Sequence, residues 1–475
     1  MEWYSLLIIP LGIIAVVIIR TINFKPKDMP EMRKRHGIDE KRVVKSLSKM
    51  LKFKTVSNID DSLVDKEEFK AFRDFLKSNY PLINEKAEYS EHHAGVLFHI
   101  KGESNEFPTV FMAHYDVVPA LGKWEHDPFS GKVTEKTIYG RGALDTKSSL
   151  NAVMESVEFA LGKEKVFKND LYLAFSGDEE IYGPSASAIV KHLKDKGIKP
   201  HMVLDEGGAI VSNMFPGVKK KIAVIGIAEK GFMNVKLTAV SQGGHAATPP
   251  KDTPITILSK AVLKLNNHRS FKLKMTNPVK ALFDTIAPYS ASFSIKIIFA
   301  NIWLFSPIVK LIAKLSGGEF LSMFKTTQAF TLATGSDAIN VLPSNATIGV
   351  NYRLRSGESS DTIIKMITKI IHNNNISVEA TLISESTPVS LTDDAFKMVT
   401  KAIAQTWTDV IPSPYLMVAT SDSRHYHEVC EHVYKFSPMD VSKKDLAKIH
   451  GFDEDISIEN VINGINFYLN LIDQL

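Results

Sequence analysis

Histidines and acidic residues follow apolar runs at several places along this chain. The run Phe111–Ala113 ends in His114, and Asp116 stands two residues further on. Because residues i and i+2 of an extended chain point to the same side, His114 can face a metal ion while Asp116 orients its ring. A single His-x-Asp sequence also occurs at ordinary strand ends, so this pair needs partners.

Further donors come in order along the chain. Asp145 stands just ahead of a helical run, where it could cap the helix or bridge two cations with its two oxygens. Asp178–Glu180 places three consecutive acids after an apolar strand, and such acids repel one another unless cations or solvent absorb their charge. Asp205–Glu206 follows another short apolar strand, and His450 precedes the last helix. Carboxylates and imidazoles are donors that suit Zn²⁺, which lowers the pKa of bound water from 15.7 to about 7 in favourable sites.

Composition restricts the class of protein. With 475 residues, 44% hydrophobic and 23% charged, the chain can bury one large core or two ordinary ones, which excludes disorder, collagen and coiled coil. The 57 basic and 53 acidic residues give a net charge of +4, and the lysines are scattered, so nucleic acid is a poor candidate partner. The single cysteine, Cys430, excludes a disulfide framework and a multi-cysteine metal site.

The N-terminus is apolar. Trp3–Ile19 contains no charged residue and reaches the short end of the spanning range of roughly 17 to 25 residues. Glu2 before it and Arg20 after it argue against a cleaved signal peptide, so residues 1–24 are predicted to be a single-pass anchor. The alternative is a buried or propeptide-like hydrophobic terminus. The positive-inside rule would place the rest of the protein in the cytoplasm, given the basic residues after the run: Arg20, Lys25, Lys27, Arg33, Lys34 and Arg35.

From about Gly37 onward, strands and helices alternate. The pattern predicts an α/β catalytic domain in two parts, residues 25–234 and 385–475, with a mixed, largely parallel sheet flanked by helices. Residues 235–384 are predicted to form an inserted α+β lid or dimerisation domain. It carries an apolar insertion, residues 265–328. The most apolar stretch, Ala287–Leu315, is expected to be a helical hairpin buried against the domain or a partner subunit. The alternative is a surface for a membrane or an apolar substrate tail.

At this point the motifs carry a resemblance. From about Glu40 to the C-terminus the chain is similar to the di-zinc peptidase family of carboxypeptidase S, aminoacylase and the glutamate carboxypeptidases. The wording is closest to the branch of carboxypeptidase S and the N-fatty-acyl amino acid synthase/hydrolases. The matching segments are Ala113–Pro119, Gly140–Lys147, Gly177–Glu180, Leu204–Gly207, Gly243–His245 and Ile449–Glu454.

The resemblance implies two zinc ions per chain, with Co²⁺ or Mn²⁺ as substitutes. The implied roles are His114 and Asp205 on one zinc, Glu180 and His450 on the other, Asp145 bridging both, Glu179 as general base, and Asp116 orienting His114. Where many relatives have a second acid after the bridging aspartate, this chain has Thr146, which leaves the peptide geometry there open.

The same resemblance implies substrate contacts. His245 would stabilise the tetrahedral oxyanion, often in the active site of a partner subunit. Arg424 would clamp a substrate carboxylate with its bidentate fork, and Asn340 and Arg353 would add further contacts.

These inferences predict a membrane-anchored, zinc-dependent amidohydrolase or carboxypeptidase. It would cleave the amide next to an amino acid with a free carboxylate, in small peptides or N-acyl amino acids. The apolar insertion near a membrane anchor favours apolar or fatty-acyl substrates. A homodimer through the inserted domain is expected from the resemblance. The alternative is a catalytically silent, membrane-tethered metal-binding or scaffold protein.

Overall fold

The computed structural model describes residues 5–26, 33–215, 217–268 and 270–475, without the side chains of residues 5–8. Trp3 and Lys27, which belong to the predicted anchor and its basic flank, lie outside the described residues. The α-helices are α1 (Ser5–Asn23), α2 (Glu40–Met50), α3 (Lys66–Asn79), α4 (Pro81–Lys86), α5 (Lys147–Gly162), α6 (Ser185–Asp195), α7 (Pro254–Asn267), α8 (Asn277–Ile286), α9 (Phe293–Ala300), α10 (Ile302–Ser316), α11 (Gly318–Ser322), α12 (Ser360–Ile371), α13 (Asp394–Thr406), α14 (Lys443–Leu446) and α15 (Ile458–Ile472).

The strands alternate with these helices, and short 3₁₀ turns lie at Glu179–Ile181 and Asp422–Glu428. The strands are β1 (Ala87–His92), β2 (Gly95–Ile100), β3 (Ser104–His114), β4 (Lys132–Val133), β5 (Thr137–Tyr139), β6 (Asn169–Ser176), β7 (Met202–Asp205), β8 (Ile210–Val211), β9 (Lys221–Glu229), β10 (Gly231–Val240), β11 (Gly244–His245), β12 (Thr327–Thr334), β13 (Val341–Leu342), β14 (Asn345–Leu354), β15 (Ile376–Ser384), β16 (Val410–Met417), β17 (Val433–Lys435), β18 (Asp440–Val441) and β19 (Asp455–Ser457).

One large sheet carries the catalytic part of the chain. Its strand order is β1-β2-β6-β3-β7-β17-β9-β8-β18, and β16 also pairs with β9. The centre, β6-β3-β7-β17, is parallel, whereas β1 and β2 at one edge pair antiparallel with their neighbours. Towards the other edge, β9 pairs antiparallel with β17 and β8 and parallel with β16. The predicted α/β fold with a mixed sheet is therefore confirmed.

Burial on both faces explains why the central strands read as continuous apolar runs. Along β3, Val110 and Met112 face a core shared with α6, whereas Phe111 and Ala113 face the core shared with α5. Each fully buried side chain of this kind contributes about 1.5 to 3 kcal/mol. Helix α5 is buried along most of its length and packs against α15, so the segment just before α5 is held rigidly.

A smaller, second unit has its own core. Its antiparallel sheet runs in the order β12-β14-β10-β15, and helices α7 and α12 pack on it. Leu237 and Val350 from the sheet meet Leu258 of α7 and Ile367 of α12. This unit is joined to the catalytic sheet where β9 runs into β10.

The apolar insertion does not pack in the core of that smaller unit. Helix α8 packs against β16 at the catalytic sheet, α9 packs on α8, and Leu282, Phe283 and Phe299 belong to the catalytic core. One side of the insertion is thus buried against the catalytic core. On its other side Trp303 and Leu315 are exposed.

Helix α1 contacts this insertion. Val17 and Thr21 are buried against α9, while Ile9 to Val16 are exposed to solvent. Within the described residues, no helix by itself combines the length and hydropathy of a membrane span. Helices α9 and α10 meet that requirement only as a pair bent by 111°.

Candidate active site

The fold gathers the predicted chemistry at one edge of the large sheet. His114 ends β3, Glu179–Glu180 form the turn after β6, and Glu206 directly follows β7. Because β6, β3 and β7 are parallel neighbours, their carboxyl ends lie side by side. Asp145 stands just before α5, and His450 comes from the loop between α14 and β19.

Asp145 contacts a different histidine with each oxygen. Its Oδ1 lies 3.0 Å from Nε2 of His114, and its Oδ2 lies 3.1 Å from Nε2 of His450. Glu206 also contacts His114, with its Oε1 3.3 Å from the same Nε2. Glu180 also contacts His450, with its Oε2 3.1 Å from the same Nε2. This is the arrangement of a carboxylate that bridges two neighbouring sites.

The donor set fits a divalent metal ion. His114, Asp145 and Glu180 offer donor atoms that all lie within 4.8 Å of one another, and so do His114, Glu179 and Glu206. Carboxylate oxygens and imidazole nitrogens are the ligands that Zn²⁺ and Mn²⁺ accept.

The electrostatics of the cluster also favour a cation. Burial raises the pKa of Glu179 well above its ordinary value and raises that of Glu206 to about 7. Hydrogen bonds to Asp145 and Glu180 raise the pKa of His450 to about 10. Burial alone lowers the pKa of His114, but the surrounding carboxylates raise it well above its ordinary value. The protein alone thus gathers more carboxylates than its histidines can neutralise, and a divalent cation would offset this excess.

Asp116 holds three functional groups at once. The backbone N–H groups of Glu179 and Glu180 donate to its two carboxylate oxygens, each at 3.1 Å. Nδ1 of His114 lies 3.0 Å from the Asp116 carbonyl and 3.3 Å from its Oδ1. The side chain is fully buried. It therefore orients His114, as predicted from the sequence, and also fixes the turn that carries the two glutamates.

The two acids that follow β7 make different contacts. Oδ2 of Asp205, the predicted ligand, accepts a hydrogen bond of 3.0 Å from the backbone N–H of Ser423. Oε1 of Glu206 lies 3.3 Å from Nε2 of His114, which makes Glu206 the candidate ligand of this segment. The physical reason is the alternation of an extended chain, since consecutive side chains leave on opposite sides.

Glu454 supports the loop that carries Asp145 and was not identified from the sequence. Its Oε1 accepts from the N–H groups of Leu144 at 2.7 Å and Asp145 at 3.1 Å. Its Oε2 accepts from the N–H of Gly142 at 3.0 Å and from Nη1 of Arg141 at 2.7 Å. All four bonds converge on a fully buried carboxylate, so Glu454 fixes the position of the bridging aspartate.

The sequence left open the peptide geometry between Asp145 and Thr146, and the structure defines it. The peptide bond from Asp145 to Thr146 is cis.

A cavity of about 310 Å³ opens beside the cluster. Arg353 reaches into it from β14 of the smaller unit, and its Nη1 is buried without a hydrogen-bond partner among the described residues. Metal-cluster residues line one side of the cavity, namely Asp145, Glu179, Glu180, Glu206 and His450. Much of the remaining wall is apolar, with Leu144, Ala209, Met417, Met439, Val441, Leu446 and Ile449.

Four stacked side chains connect the smaller unit to the catalytic unit next to this cavity. The guanidinium carbon of Arg353 lies 5.5 Å from the ring centre of Phe232, and that ring lies 4.7 Å from the ring of Tyr182. The guanidinium carbon of Arg424 lies 5.5 Å from the Tyr182 ring on the catalytic side. Arg424 Nη1 also donates to the carbonyl of Ser421 at 2.9 Å. Arg353 thus faces the cavity, whereas Arg424 supports Tyr182 and does not line it.

His245 and Asn340 lie together but away from the cavity of their own chain. The short strand β11 pairs with β13, which sets His245 opposite Val341, and the N–H of Ala246 donates to the Asn340 carbonyl at 3.0 Å. Both His245 and Asn340 are exposed, and neither lines the cavity.

Three residues of the site were missed at the sequence level. Glu206 could have been found from the sequence, because it directly follows a strand and its side chain points to the opposite side from that of Asp205. Tyr182 adopts a positive φ of 56° just after the paired glutamates, which the sequence did not reveal. Glu454 lies in the same segment as His450, but its partners are 309 to 313 residues away.

Histidines and carboxylates that fit a divalent ion, a buried glutamate beside them and a small cavity define a metal-dependent hydrolase. The chain belongs to peptidase family M20/M25/M40, whose sequence profile matches residues 110–474. It is a hydrolase of the metallopeptidase and amidohydrolase class. The family implies a divalent metal, usually zinc, and the donor set described above fits one.

Relatives and solved structures agree with this assignment. The chain is 34% identical to probable carboxypeptidase S-like 2 of Dictyostelium discoideum, over 97% of this chain and 92% of that protein. It is 30% identical to the N-fatty-acyl-amino acid synthase/hydrolase PM20D1 of Xenopus tropicalis, with the same shares covered. Human carnosine dipeptidase 1 has the same fold, with a TM-score of 0.66, 15% identity and coverage of 92% of this chain and 97% of that one. The metallo-carboxypeptidase Sso-CP2 of Sulfolobus solfataricus also shares it, with a TM-score of 0.66, 16% identity and coverage of 90% and 98%.

Proposed function

We propose that this protein is a membrane-anchored di-zinc amidohydrolase. It releases an amino acid with a free carboxylate from a small N-acyl amino acid or peptide, and it favours apolar acyl groups. The observation that carries the proposal is the cavity, which joins the metal-ligand cluster to an apolar wall and to Arg353, whose Nη1 has no hydrogen-bond partner among the described residues.

Two metal sites are supported by the bridging geometry of Asp145. One site would use His114, Asp145 and Glu206, and the other Asp145, Glu180 and His450. Bound zinc would polarise the scissile carbonyl and lower the pKa of water, which supplies the nucleophile at neutral pH. Cobalt or manganese could substitute, because the donors are oxygen and nitrogen.

Glu179 is proposed as the general base. Its carboxylate lines the cavity and lies within 4.8 Å of a His114 ring nitrogen, but within the described part of the chain it forms no ion pair with a histidine of the kind that Glu180 forms with His450. It can therefore take a proton from water and deliver it to the leaving amine. Asp116 keeps Glu179 in place, because the backbone N–H of Glu179 donates a hydrogen bond to the Asp116 carboxylate.

The two ends of the substrate would bind on different sides of the cavity. The free Nη1 of Arg353 offers a charge-assisted hydrogen bond to the carboxylate of the released amino acid. The apolar wall with Met417, Met439 and Leu446 suits the acyl group. A volume of about 310 Å³ is at the small end for ligand sites, which run from roughly 300 to 1,000 Å³. We therefore expect the cavity to hold the amino acid and the first part of the acyl group, with a longer acyl chain extending beyond it.

A homodimer would give His245 and Asn340 a function. Both are exposed on the smaller unit and lie next to each other, outside the cavity of their own chain. We propose that they reach the cavity of a second copy, where His245 would stabilise the oxyanion and Asn340 would contact substrate. The exposed edge strand β12, with Leu332 on its surface, is a candidate contact.

We also propose that α1 anchors the protein to a membrane. Its exposed residues from Ile9 to Val16 are uncharged and almost all apolar, which is costly in water. Arg20 lies in the last turn of this helix and Lys25 follows it, and the positive-inside rule then favours a cytoplasmic active site.

The decisive experiment compares two adjacent glutamates in the full chain purified in mild detergent. Metal content would be measured together with hydrolysis of N-oleoyl-phenylalanine and of a plain dipeptide. Glu179→Gln should keep both zinc ions and lose turnover by roughly 10² to 10⁴-fold, because it removes a general base. Glu180→Gln should lose zinc as well as activity.

Each outcome has a separate meaning. A Glu179→Gln variant with bound zinc and unchanged turnover would refute the mechanism. Faster cleavage of the dipeptide than of the oleoyl substrate would refute the apolar acyl preference. A Leu446→Ser variant, altered at the partly exposed rim of the apolar wall, should selectively weaken the oleoyl substrate.

A further inference from the structure

The N-terminal part of helix α1 projects from the rest of the protein and is apolar on all sides. From Ile9 to Val16 every residue is exposed, and this stretch contains no charged side chain. A helix that is apolar on all sides is stable in a core or in a membrane, but not in water. Only its last turns, at Val17 and Thr21, are buried against the protein.

The contact that holds α1 is polar and buried. Nδ2 of Asn301, at the bend between α9 and α10, donates to Thr21 Oγ1 at 2.9 Å and to the Val17 carbonyl at 3.3 Å. Arg20 Nε donates to the carbonyl of Ala300 at 2.7 Å. Asn301 and Thr21 are both completely buried. Such bonds fix α1 at the start of α10, so the two helices share one region of the surface.

Helix α10 has an amphipathic pattern that matches this position. Its inner face, with Val309 and Ala313, is buried in the catalytic core. At about 100° per residue, its exposed large side chains fall within roughly 140° of the helix surface. They are Trp303, Leu304, Ile308, Leu311 and Leu315, with exposures of 39% to 79%.

The charge around this stripe has one sign. Residues 285–318 contain no aspartate or glutamate, and their only charged side chains are Lys296, Lys310 and Lys314. By the same helical spacing, Lys310 lies about 20° outside the Trp303 edge of the stripe and Lys314 about 20° inside it. An apolar stripe with lysines along one edge is complementary to the interface of a bilayer that contains anionic lipids.

We infer that the exposed stripe of α10 lies in the membrane interface as a second membrane contact, beside the anchor α1. The inference rests on the proposed anchor and goes beyond it, because it assigns the bilayer as the partner of a helix within the insertion. The lysines would contact anionic headgroups while the stripe enters the acyl boundary. The catalytic unit would then be held close to the bilayer by two contacts instead of hanging from one.

The test reads the depth of single labelled positions in the full chain. On a Cys430→Ala background, a fluorescent NBD label would be attached to Leu311→Cys, Ile14→Cys or Lys365→Cys in separate preparations. The protein would be placed in nanodiscs of phosphatidylcholine with phosphatidylserine. Lipids carrying a spin label quench fluorophores in the bilayer, and iodide quenches those in water. Lys365, exposed on α12 of the smaller unit, is the aqueous control.

We expect the label at Leu311 to be quenched by the lipid and protected from iodide, and the label at Lys365 to behave in the opposite way. Strong iodide quenching at Leu311 would overturn the inference. Protection of Leu311 from both quenchers would also overturn it, because that result indicates contact with a second copy or another protein. Lipid quenching at Ile14 without lipid quenching at Leu311 would leave the anchor standing and remove the second contact.

The role of the lysines has its own comparison. Lys310→Gln combined with Lys314→Gln should reduce lipid quenching at Leu311 in discs with phosphatidylserine, and leave it unchanged in discs of phosphatidylcholine alone. An equal response in both lipids would overturn the electrostatic part of the inference. Hydrolysis of a soluble dipeptide by the same variants reports separately on the proposed enzyme.

Discussion

Replacing Glu454 by glutamine changes one atom of a carboxylate that accepts four hydrogen bonds. Oε1 serves Leu144 and Asp145, and Oε2 serves Gly142 and Arg141. Glutamine keeps the shape but turns one oxygen into an NH₂ group that faces two donors. Whichever way the amide turns, two donors lose their acceptor in a fully buried place.

The cost follows from the burial. Each buried donor left unsatisfied costs about 1 to 3 kcal/mol, and a buried arginine that loses its ionic partner costs about 3 to 5 kcal/mol. The amide oxygen is best turned towards Arg141, which leaves the N–H groups of Leu144 and Asp145 without acceptors. We therefore expect Glu454→Gln to lower the free energy of unfolding by roughly 2 to 6 kcal/mol.

The effect should reach the metal site, because one of the two orphaned N–H groups belongs to the bridging Asp145. Denaturant unfolding of the metal-free protein would measure stability, and zinc titration would measure affinity. The control is Glu155→Gln on α5, since Glu155 is also buried and pairs with Arg42 at 3.0 Å. It should lose stability and keep its zinc affinity. A Glu454→Gln protein with unchanged zinc affinity would refute the positioning role.

The other predictions concern single groups. Glu206→Gln should weaken zinc binding, whereas Asp205→Asn should keep both metals, and equal zinc loss in the two variants would restore Asp205 as a ligand. Tyr182→Leu should raise KM with a smaller change in kcat, because it removes the ring between Arg424 and Phe232; a fall in kcat alone would argue against a binding role. Removal of metal with a chelator should abolish hydrolysis, and zinc should restore it; hydrolysis that survives full metal removal would exclude metal catalysis. Burial lowers the pKa of His427 to about 3. In the unfolded chain His427 binds a proton below about pH 6.5, whereas in the folded protein it stays neutral until the pH approaches 3. Stability should therefore fall as the pH drops from about 6.5 towards 3, and His427→Gln should reduce this slope in denaturant titrations; an unchanged slope would contradict the assignment.

Much of the metal cluster could be predicted, because its residues come directly after strands. At the carboxyl end of a parallel strand, the sheet fixes both the position and the direction of a side chain such as that of His114. Asp205 shows the limit of that reasoning, since a shift of one residue reverses the direction of the side chain. The sequence motif identified the segment Leu204–Gly207 as part of the site. Only the pairing of β7 with β3 and β17 indicates which of the two acids, Asp205 or Glu206, faces the metal cluster.

The architecture of the insertion was less accessible. The apolar pattern of the insertion predicted helices, but hydrophobic periodicity does not show against which core a helix packs. Residues 265–328 lie between two parts of the smaller unit in the sequence, yet Phe283 and Phe299 pack in the catalytic core. The role of Glu454 was hidden for a related reason, because Arg141 lies 313 residues before it.

The two halves of the metal cluster are built by different means. His114 ends β3 and Glu206 directly follows β7, so the pairing of these two parallel strands fixes the spacing of the two residues. Asp145 and His450 stand on loops, and Glu454 is what joins these loops, since its side chain binds the first and its backbone lies in the second. Loss of Glu454 should therefore weaken the half with His450 before the half with His114. Zinc titration of Glu454→Gln should then show one tight and one weakened site, and an equal loss at both sites would contradict this division.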